Sequence, residues 1–164
     1  MASPYNCIAA GYQQVAFVVR DIAEAERFFS GKLGVPRFCR FNDIQVGEPE
    51  YRGGAGEFHY HLSLAYAGET AIELIQHLSG RSIYQEFLDR KGEGVHHLGF
   101  IVPDHGQAVR DFAAQGYPVV QGGRIGGSRF AYFDTQDAIG VFLETIMLDD
   151  EGREIFARIK RGEF

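Results

Sequence analysis

The chain has 164 residues, the size of one compact domain or of two very small modules that share a core. With 45% hydrophobic and 23% charged residues, the composition is globular and excludes a disordered or collagen-like chain. The net charge of −6 and the scattered basic residues argue against a nucleic-acid or acidic-membrane partner.

The sequence contains no apolar run near the ~20 residues that span a bilayer. Residues 1–6 lack the basic and apolar regions of a signal peptide, so we expect no secretory leader. Two cysteines, Cys7 and Cys39, are too few for a disulfide scaffold or a zinc cluster. We therefore expect a cytoplasmic protein without a membrane span.

The first half of the chain predicts a strand, a helix and three more strands. Residues 14–19 are β-branched and aromatic, which favours a strand. Asp21 is a candidate N-cap for a helix with one apolar face, and Gly34 is a candidate residue to end it. A glycine-rich loop precedes the second of three further predicted strands, which are 37–43, 57–66 and 70–77.

The second half repeats this order. Residues 97–102 predict a strand, Asp104 is a candidate N-cap, and Gly116 follows the predicted helix. Three more strands are predicted at 118–121, 128–133 and 140–147.

An internal repeat connects the two halves. Shifting the chain by 83 positions places Gln14 on His97 and Asp21 on Asp104, and the strand endings around Glu73 and Glu144 also match. Each copy is a βαβββ module, and neither buries much core alone, so we expect the two to pack as one unit. The predicted division is 12–78 for the first module, 79–94 for a linker helix, 95–148 for the second module and 149–164 for a C-terminal helix.

The repeat selects four candidate metal ligands. Glu73 and Glu144 lie inside apolar strands, where a carboxylate is costly unless it is paired, solvated in a cavity or bound to a metal. His97 and Gln14 begin the first strand of each copy, and His96 is expected to face the other side of its strand. Three oxygens and one nitrogen suit a six-coordinate divalent ion with one or two open positions. The histidine favours Zn²⁺, Ni²⁺, Co²⁺, Mn²⁺ or Fe²⁺ over a pure Ca²⁺ or Mg²⁺ site.

The paired modules resemble the vicinal oxygen chelate superfamily, which includes glyoxalase I, methylmalonyl-CoA epimerase, extradiol dioxygenases and bleomycin resistance proteins. The resemblance covers about residues 12–148 and rests on the openings QVAFVVRDIAEAERFF and HHLGFIVPDHGQAVRDF and the endings AIELIQ and VFLETI. It implies an α+β fold in which two βαβββ modules form a cup-shaped, eight-stranded mixed sheet. It also implies that Gln14, Glu73, His97 and Glu144 hold a metal inside the cup.

The same resemblance implies a reaction class. The Gln/Glu/His/Glu set is similar to that of glyoxalase I, whereas the segment SIYQEFLDRKGEGVHHLGF resembles the epimerase branch. Both relatives remove a proton beside a metal-held carbonyl, and the metal stabilises the developing oxyanion. We therefore expect a metal-dependent isomerase, epimerase or lactoylglutathione lyase-like enzyme, with Glu144 or Glu73 as ligand and base. An oxo-acid, thioester or thiohemiacetal would be the substrate, and a homodimer is expected from the superfamily.

Five further residues are candidate substrate contacts. His59 and His61 share one face of a strand, and are base or substrate contacts if that face lines the cup, and surface histidines if it does not. Arg124 and Arg129 flank a Gly-Gly turn and are suited to a carboxylate or phosphate. Tyr132 is a candidate cup-lining residue with a core role as its alternative.

Two other functions remain open. An extradiol-type dioxygenase needs two histidines and one carboxylate on Fe²⁺ or Mn²⁺, and Gln14 argues against it. A non-catalytic binding or resistance protein of the same fold often lacks the metal residues, and their presence here argues against that function.

Overall fold

A computed structural model describes residues 10–164, so the predictions for residues 1–6 and Cys7 lie outside the described part. The strands in this part are β1 (Tyr12–Val18), β2 (Cys39–Gln45), β3 (Gly47–Tyr51), β4 (Gly54–Ala55), β5 (Phe58–Ala67), β6 (Thr70–Gly80), β7 (Gly94–Ile101), β8 (Val119–Ile125), β9 (Ser128–Phe133) and β10 (Phe142–Met147). The helices are α1 (Ile22–Leu33), α2 (Ile83–Lys91), α3 (His105–Ala114), α4 (Gln136–Ile139) and α5 (Asp150–Arg161). None of these helices is long and apolar enough to cross a membrane.

The strands form one mixed, curled sheet in the order β2-β5-β6-β1-β7-β10-β9-β8-β3-β4. Within each half the first strand runs parallel to the last, β1 beside β6 and β7 beside β10. The two halves join through the antiparallel pair β1 and β7. The predicted α+β fold with a cup-shaped mixed sheet is therefore confirmed.

The strand number differs from the prediction, because the described sheet has ten strands and not eight. The two additional strands, β3 and β4, form a hairpin where the sequence predicted only a glycine-rich loop. A single residue, Val46, separates β2 from β3, although these strands lie near opposite ends of the sheet order. The sheet must therefore curl until its two edges approach each other. Sequence patterning missed the hairpin because β3 is short and pairs with β8 of the other half.

The longer helices begin where a polar side chain supplies the N-cap. Each cap accepts a hydrogen bond from the backbone N–H three residues later, and the four caps are Asp21, Ser82, Asp104 and Asp149. Gly34 ends α1 in the left-handed conformation, which glycine adopts without strain.

Three helices cover the sheet from different sides. The helices α1 and α3 pack on its outer face, against Leu74 and Phe133 respectively. The helix α2 closes one end of the curled sheet, where Tyr84 contacts Tyr60 and Tyr132. The polar side chains that concern function lie on the inner face.

The C-terminal helix α5 bridges the other end of the cup. At its N-terminus, Asp149 accepts hydrogen bonds from the N–H of Gly127 and the hydroxyl of Ser128, in the β8–β9 region. Near its C-terminus, Lys160 forms an ion pair of 2.5 Å with Glu69 in the β5–β6 turn. The helix is thus tied to both halves of the chain.

Candidate metal and substrate site

The four predicted ligands lie on four adjacent central strands, β6, β1, β7 and β10. Ala16 pairs with both Glu73 and His97, while Gly99 pairs with both Gln14 and Glu144. Residues directly opposite each other in neighbouring strands point to the same face of a sheet. The register therefore brings the four side chains together on the inner face, and all four are at least 95% buried.

Three donor atoms converge at this point. The Nε2 atom of His97 lies 3.0 Å from Oε2 of Glu73 and 3.2 Å from Oε2 of Glu144. Neither oxygen lies where a hydrogen on Nε2 would point, so this nitrogen has no hydrogen-bond partner among the described residues. Donors at adjacent positions of an octahedral ion with bonds of about 2.1 Å lie about 3.0 Å apart. The spacing of the nitrogen and the two oxygens therefore fits three donor atoms that bind the same cation.

Gln14 provides the fourth group. Its Nε2 donates to Oε2 of Glu144 at 3.1 Å, while its Oε1 is buried and has no partner in the described part of the chain. The two ends of an amide exchange by a simple flip of the side chain. That flip would bring the amide oxygen toward Glu144 and the other donors. The residues present thus fit a divalent ion.

The electrostatics of the cluster also favour a cation. Burial raises the pKa of Glu73, and the nearby Glu144 carboxylate adds to this effect against the opposing influence of His97. Burial would lower the pKa of His97, but the carboxylates of Glu144 and Glu73 outweigh it and raise this pKa to about 9. Without a metal, a proton on the imidazole therefore balances part of the buried negative charge.

The prediction that His96 faces the other side is wrong. Ala16 pairs with His97 and Phe17 with Val95, so His96 is the extra residue of a β-bulge. The bulge brings Nδ1 of His96 within 3.0 Å of Nδ1 of His97, and the ring of His96 stacks on Phe142. Burial lowers the pKa of His96 well below its ordinary value. A neutral His96 can accept a hydrogen from Nδ1 of His97, which leaves Nε2 free for a metal.

Gly99 is a second contributor that sequence reasoning missed. A Cβ atom at this position would lie 2.5 Å from Cγ of Gln14, so a larger residue would push the amide away. The repeat aligns Gly99 with Ala16. A glycine where the other copy has alanine was the feature of the sequence that could have indicated a close approach of another side chain at this position.

A cavity of about 270 Å³ opens above the cluster. Glu73 and Glu144 lie at its polar floor beside Tyr132, whose hydroxyl accepts a hydrogen bond of 2.9 Å from Tyr84. Apolar side chains form most of its walls, including Phe41, Ile44, Leu62, Leu64, Phe130 and Ile146. The helix α5 contributes Ile155 and Phe156.

The structure divides the candidate substrate contacts into two groups. Tyr132 and Arg129 line the cavity. Arg124 does not, and its side chain forms an ion pair of 3.2 Å with Glu48.

His59 and His61 do not reach the cup, so the structure does not bring these two candidate substrate contacts to the site. The backbone N–H of Asp43 donates to His61, and the ring of His59 lies 2.8 Å from the Asp43 carboxylate. In the pairing of β5 with β6, His61 lies opposite Gln76, and Leu62 lies opposite Ile75. Leu62 and Ile75 point to the inner face, and because successive residues of a strand point to opposite faces, His61 points outward.

Comparison with known proteins now gives the family. Residues 13–133 match the profile of the Glyoxalase/Bleomycin resistance protein/Dioxygenase superfamily. The chain belongs to this superfamily. It is also 24% identical to the uncharacterized protein YqjC of Bacillus subtilis over 141 residues, which are 79% of this chain and 86% of that protein.

Two solved structures are similar to this chain in fold. The hypothetical protein BH1468 from Bacillus halodurans superposes with a TM-score of 0.65 at 20% identity, over 85% of this chain and 94% of that one. Methylmalonyl-CoA epimerase from Mycobacterium tuberculosis gives a TM-score of 0.60 at 24% identity, over 86% of this chain and 89% of the epimerase. At these identities the likeness concerns the fold alone.

Proposed function

We propose that this protein is a metal-dependent isomerase or epimerase that moves a proton at a carbon next to a carbonyl. The observation that carries the proposal is the convergence of Glu73, His97 and Glu144, whose donor atoms lie within 4.8 Å of one another in a buried site. Similarity in fold to methylmalonyl-CoA epimerases supports the same reaction class.

The donor set would hold Zn²⁺, Ni²⁺, Co²⁺, Mn²⁺ or Fe²⁺ through Glu73, His97, Glu144 and a flipped Gln14. Such an ion supplies Lewis-acid stabilisation to an oxygen on which negative charge develops. A set with one histidine supports this function over an extradiol dioxygenase, because the second buried histidine, His96, contacts the far side of the His97 ring.

The chain's own residues supply the proton transfer. Burial raises the pKa of the Glu73 carboxyl above its ordinary value, the direction that suits a general base, whereas a bound cation would oppose this shift. Glu144 lies on the opposite side of His97 and faces the same cavity, so the two carboxylates flank the space above the cluster. One carboxylate removes the proton, and the same or the opposite carboxylate returns it. The apolar walls exclude water from the carbanion-like intermediate.

Metal content is the first test. The protein is purified without chelator and analysed for transition metals, and we expect close to one equivalent per chain. Saturating metal should also raise the free energy of unfolding, by about 2.7 kcal/mol at a hundredfold excess over Kd. Less than about one tenth of an equivalent after incubation with each of the five metals would contradict the proposal.

Proton exchange is the second test. Metal-loaded protein is incubated in D₂O with 2-oxobutanoate or with 2-oxooctanoate, and deuterium at the carbon next to the carbonyl is followed by NMR. We expect exchange that stops on chelation and returns with metal. A loaded protein that binds these compounds without exchange would instead be a binding protein of the same fold.

A further inference from the structure

The wall of the cavity differs sharply from its floor. Above Glu73 and Glu144, the described lining is hydrocarbon on several sides, with Phe41 and Leu62 on one wall and Phe130 and Ile146 on another. Apolar lining of this kind gains free energy only when a ligand covers it with apolar surface.

The volume limits the size of such a ligand. A dry cavity of about 150 Å³ holds one benzene molecule, so about 270 Å³ holds roughly 11 non-hydrogen atoms at the same density. This volume is just below the range of about 300–1,000 Å³ that is usual for small-molecule sites.

The helix α5 sets the upper boundary of this space. Ile155 and Phe156 of α5 line the cavity, and the helix is held across the cup by Asp149 at one end and Lys160 at the other. The ligand is therefore covered from above by apolar side chains.

The rim of the cavity disfavours a polyanionic ligand. Asp149 and Glu151 of the α5 N-terminal region line it. Arg129 is the basic residue that lines the described cavity, and it forms an ion pair of 3.0 Å with Glu48, which also holds Arg124. The arm of a coenzyme A thioester would have to cross this rim, whose described residues offer its phosphates no unpaired basic side chain.

We propose that the substrate is a small carbonyl compound with a compact apolar body, of roughly 11 non-hydrogen atoms in all, that fills the cup. The carbonyl rests on the proposed function, whereas the apolar body rests on the walls alone. The proposal separates this chain from a role on coenzyme A thioesters, which the similarity in fold to methylmalonyl-CoA epimerases would suggest.

The test measures binding by calorimetry with two series of probes. Metal-loaded protein is titrated with 2-oxobutanoate, 2-oxohexanoate, 2-oxooctanoate and 2-oxodecanoate, and with coenzyme A itself. Affinity should rise by up to about fourfold per added methylene until 2-oxooctanoate, whose length fills the cup, and then fall. Coenzyme A should not bind.

Metal-free protein is titrated with the straight-chain alcohols from butanol to decanol, which carry no carbonyl. A rise in affinity with chain length here supports the apolar body even if no metal binds and the proposed function fails. Flat affinity in both series, or coenzyme A binding as tightly as the best 2-oxo acid, would overturn the inference while leaving the metal chemistry intact.

Phe156→Ala identifies the wall that sets the length limit. It should move the optimum from 2-oxooctanoate to 2-oxodecanoate, and Phe41→Ala tests the opposite wall if the first variant does not fold. The matched control is Phe28→Ala on α1, whose side chain is 56% exposed and does not line the cavity. An optimum that shifts equally in the control, or in neither cavity variant, contradicts the assignment.

Discussion

The two halves of the molecule supply equivalent positions with different residues. The first half contributes Gln14 and Glu73, and the second contributes His97 and Glu144, from the same strands of each copy. Ala16 of the first half pairs with Glu73 and His97, and Gly99, at the equivalent position of the second half, pairs with Gln14 and Glu144. The repeat therefore determines where the donor atoms converge, and the differences between its two copies determine how each donor is oriented.

Two departures stand out. The second half has a β-bulge that places His96 beside His97, and the first half has the hairpin of β3 and β4, which reaches across to β8. The bulge places a hydrogen-bond partner beside the candidate ligand His97 and so orients its ring. The hairpin brings Glu48 to Arg124 and Arg129 at the rim, and so changes the charge that an incoming ligand meets.

The largest effects are expected from the two equivalent carboxylates. Glu73→Gln and Glu144→Gln each remove a metal ligand and a candidate base, so deuterium exchange should fall by about 100- to 10,000-fold. Glu50→Gln on β3 is the matched control, because Glu50 is exposed and its loss should leave exchange unchanged. If one of the two cavity variants keeps full exchange, the halves are not functionally equivalent and that carboxylate has no role in proton transfer.

Thermal unfolding distinguishes a lost function from a lost fold. Without metal, Glu73 and Glu144 are two buried carboxylates around one imidazole, which is an unfavourable arrangement. Glu73→Gln should therefore not lower the Tm of chelator-treated protein, although it reduces the gain in Tm on adding metal. A lower Tm in the chelated state would show that the carboxylate serves the fold.

The second prediction concerns the pH dependence of metal binding. His97 has a pKa raised to about 9 in the metal-free protein, so below that pH it carries a proton that the metal must displace. Metal affinity should therefore rise with pH, by about tenfold per unit and hence about a hundredfold from pH 6 to pH 8, and level off above about pH 9. Calorimetry in buffers of different ionisation enthalpy should also detect at least one released proton at neutral pH. An affinity independent of pH would mean that His97 is not a ligand.

The repeat in the sequence predicted the two βαβββ modules and selected the four converging residues, whereas the cup-shaped sheet was implied by the resemblance to the superfamily. Alternation places Glu73 and Glu144 on the face opposite their apolar neighbours Leu74 and Leu143, and the topology of the repeat makes the strands adjacent.

The same reasoning failed wherever strict alternation is broken. A β-bulge adds one residue to β7 and turns His96 to the side of the sheet opposite to the predicted one. The sequence His-His does not itself indicate a bulge. His61 points away from the cup because of the register in which β5 pairs with β6. That register contains a shift beside His59. Bulges and registers depend on contacts between strands, which a single strand's sequence does not specify.

The third prediction tests the role of the bulge. His96→Phe keeps a flat ring for stacking on Phe142 but removes the acceptor beside Nδ1 of His97. Metal affinity should fall by about 10- to 100-fold, as is usual when the partner of a metal-bound histidine is lost. The matched control is His61→Phe, since His61 lies away from the cavity. Unchanged metal affinity in His96→Phe would leave the bulge with a packing role alone.

The smallest effect is expected at Gly99, the position that differs from Ala16. Gly99→Ala adds a methyl group 2.5 Å from Cγ of Gln14, so the amide must leave its place beside Glu144. Because an amide is a weak ligand, metal affinity should fall by about tenfold or less, equivalent to about 1.4 kcal/mol. The control is Gly31→Ala on α1, where the added methyl meets no atom within 4 Å. If Gly99 acts through Gln14, the variant Gly99→Ala/Gln14→Ala should bind metal no more weakly than Gln14→Ala alone, because both changes remove one interaction. Additive losses would instead mean that Gly99 supports the other donors directly.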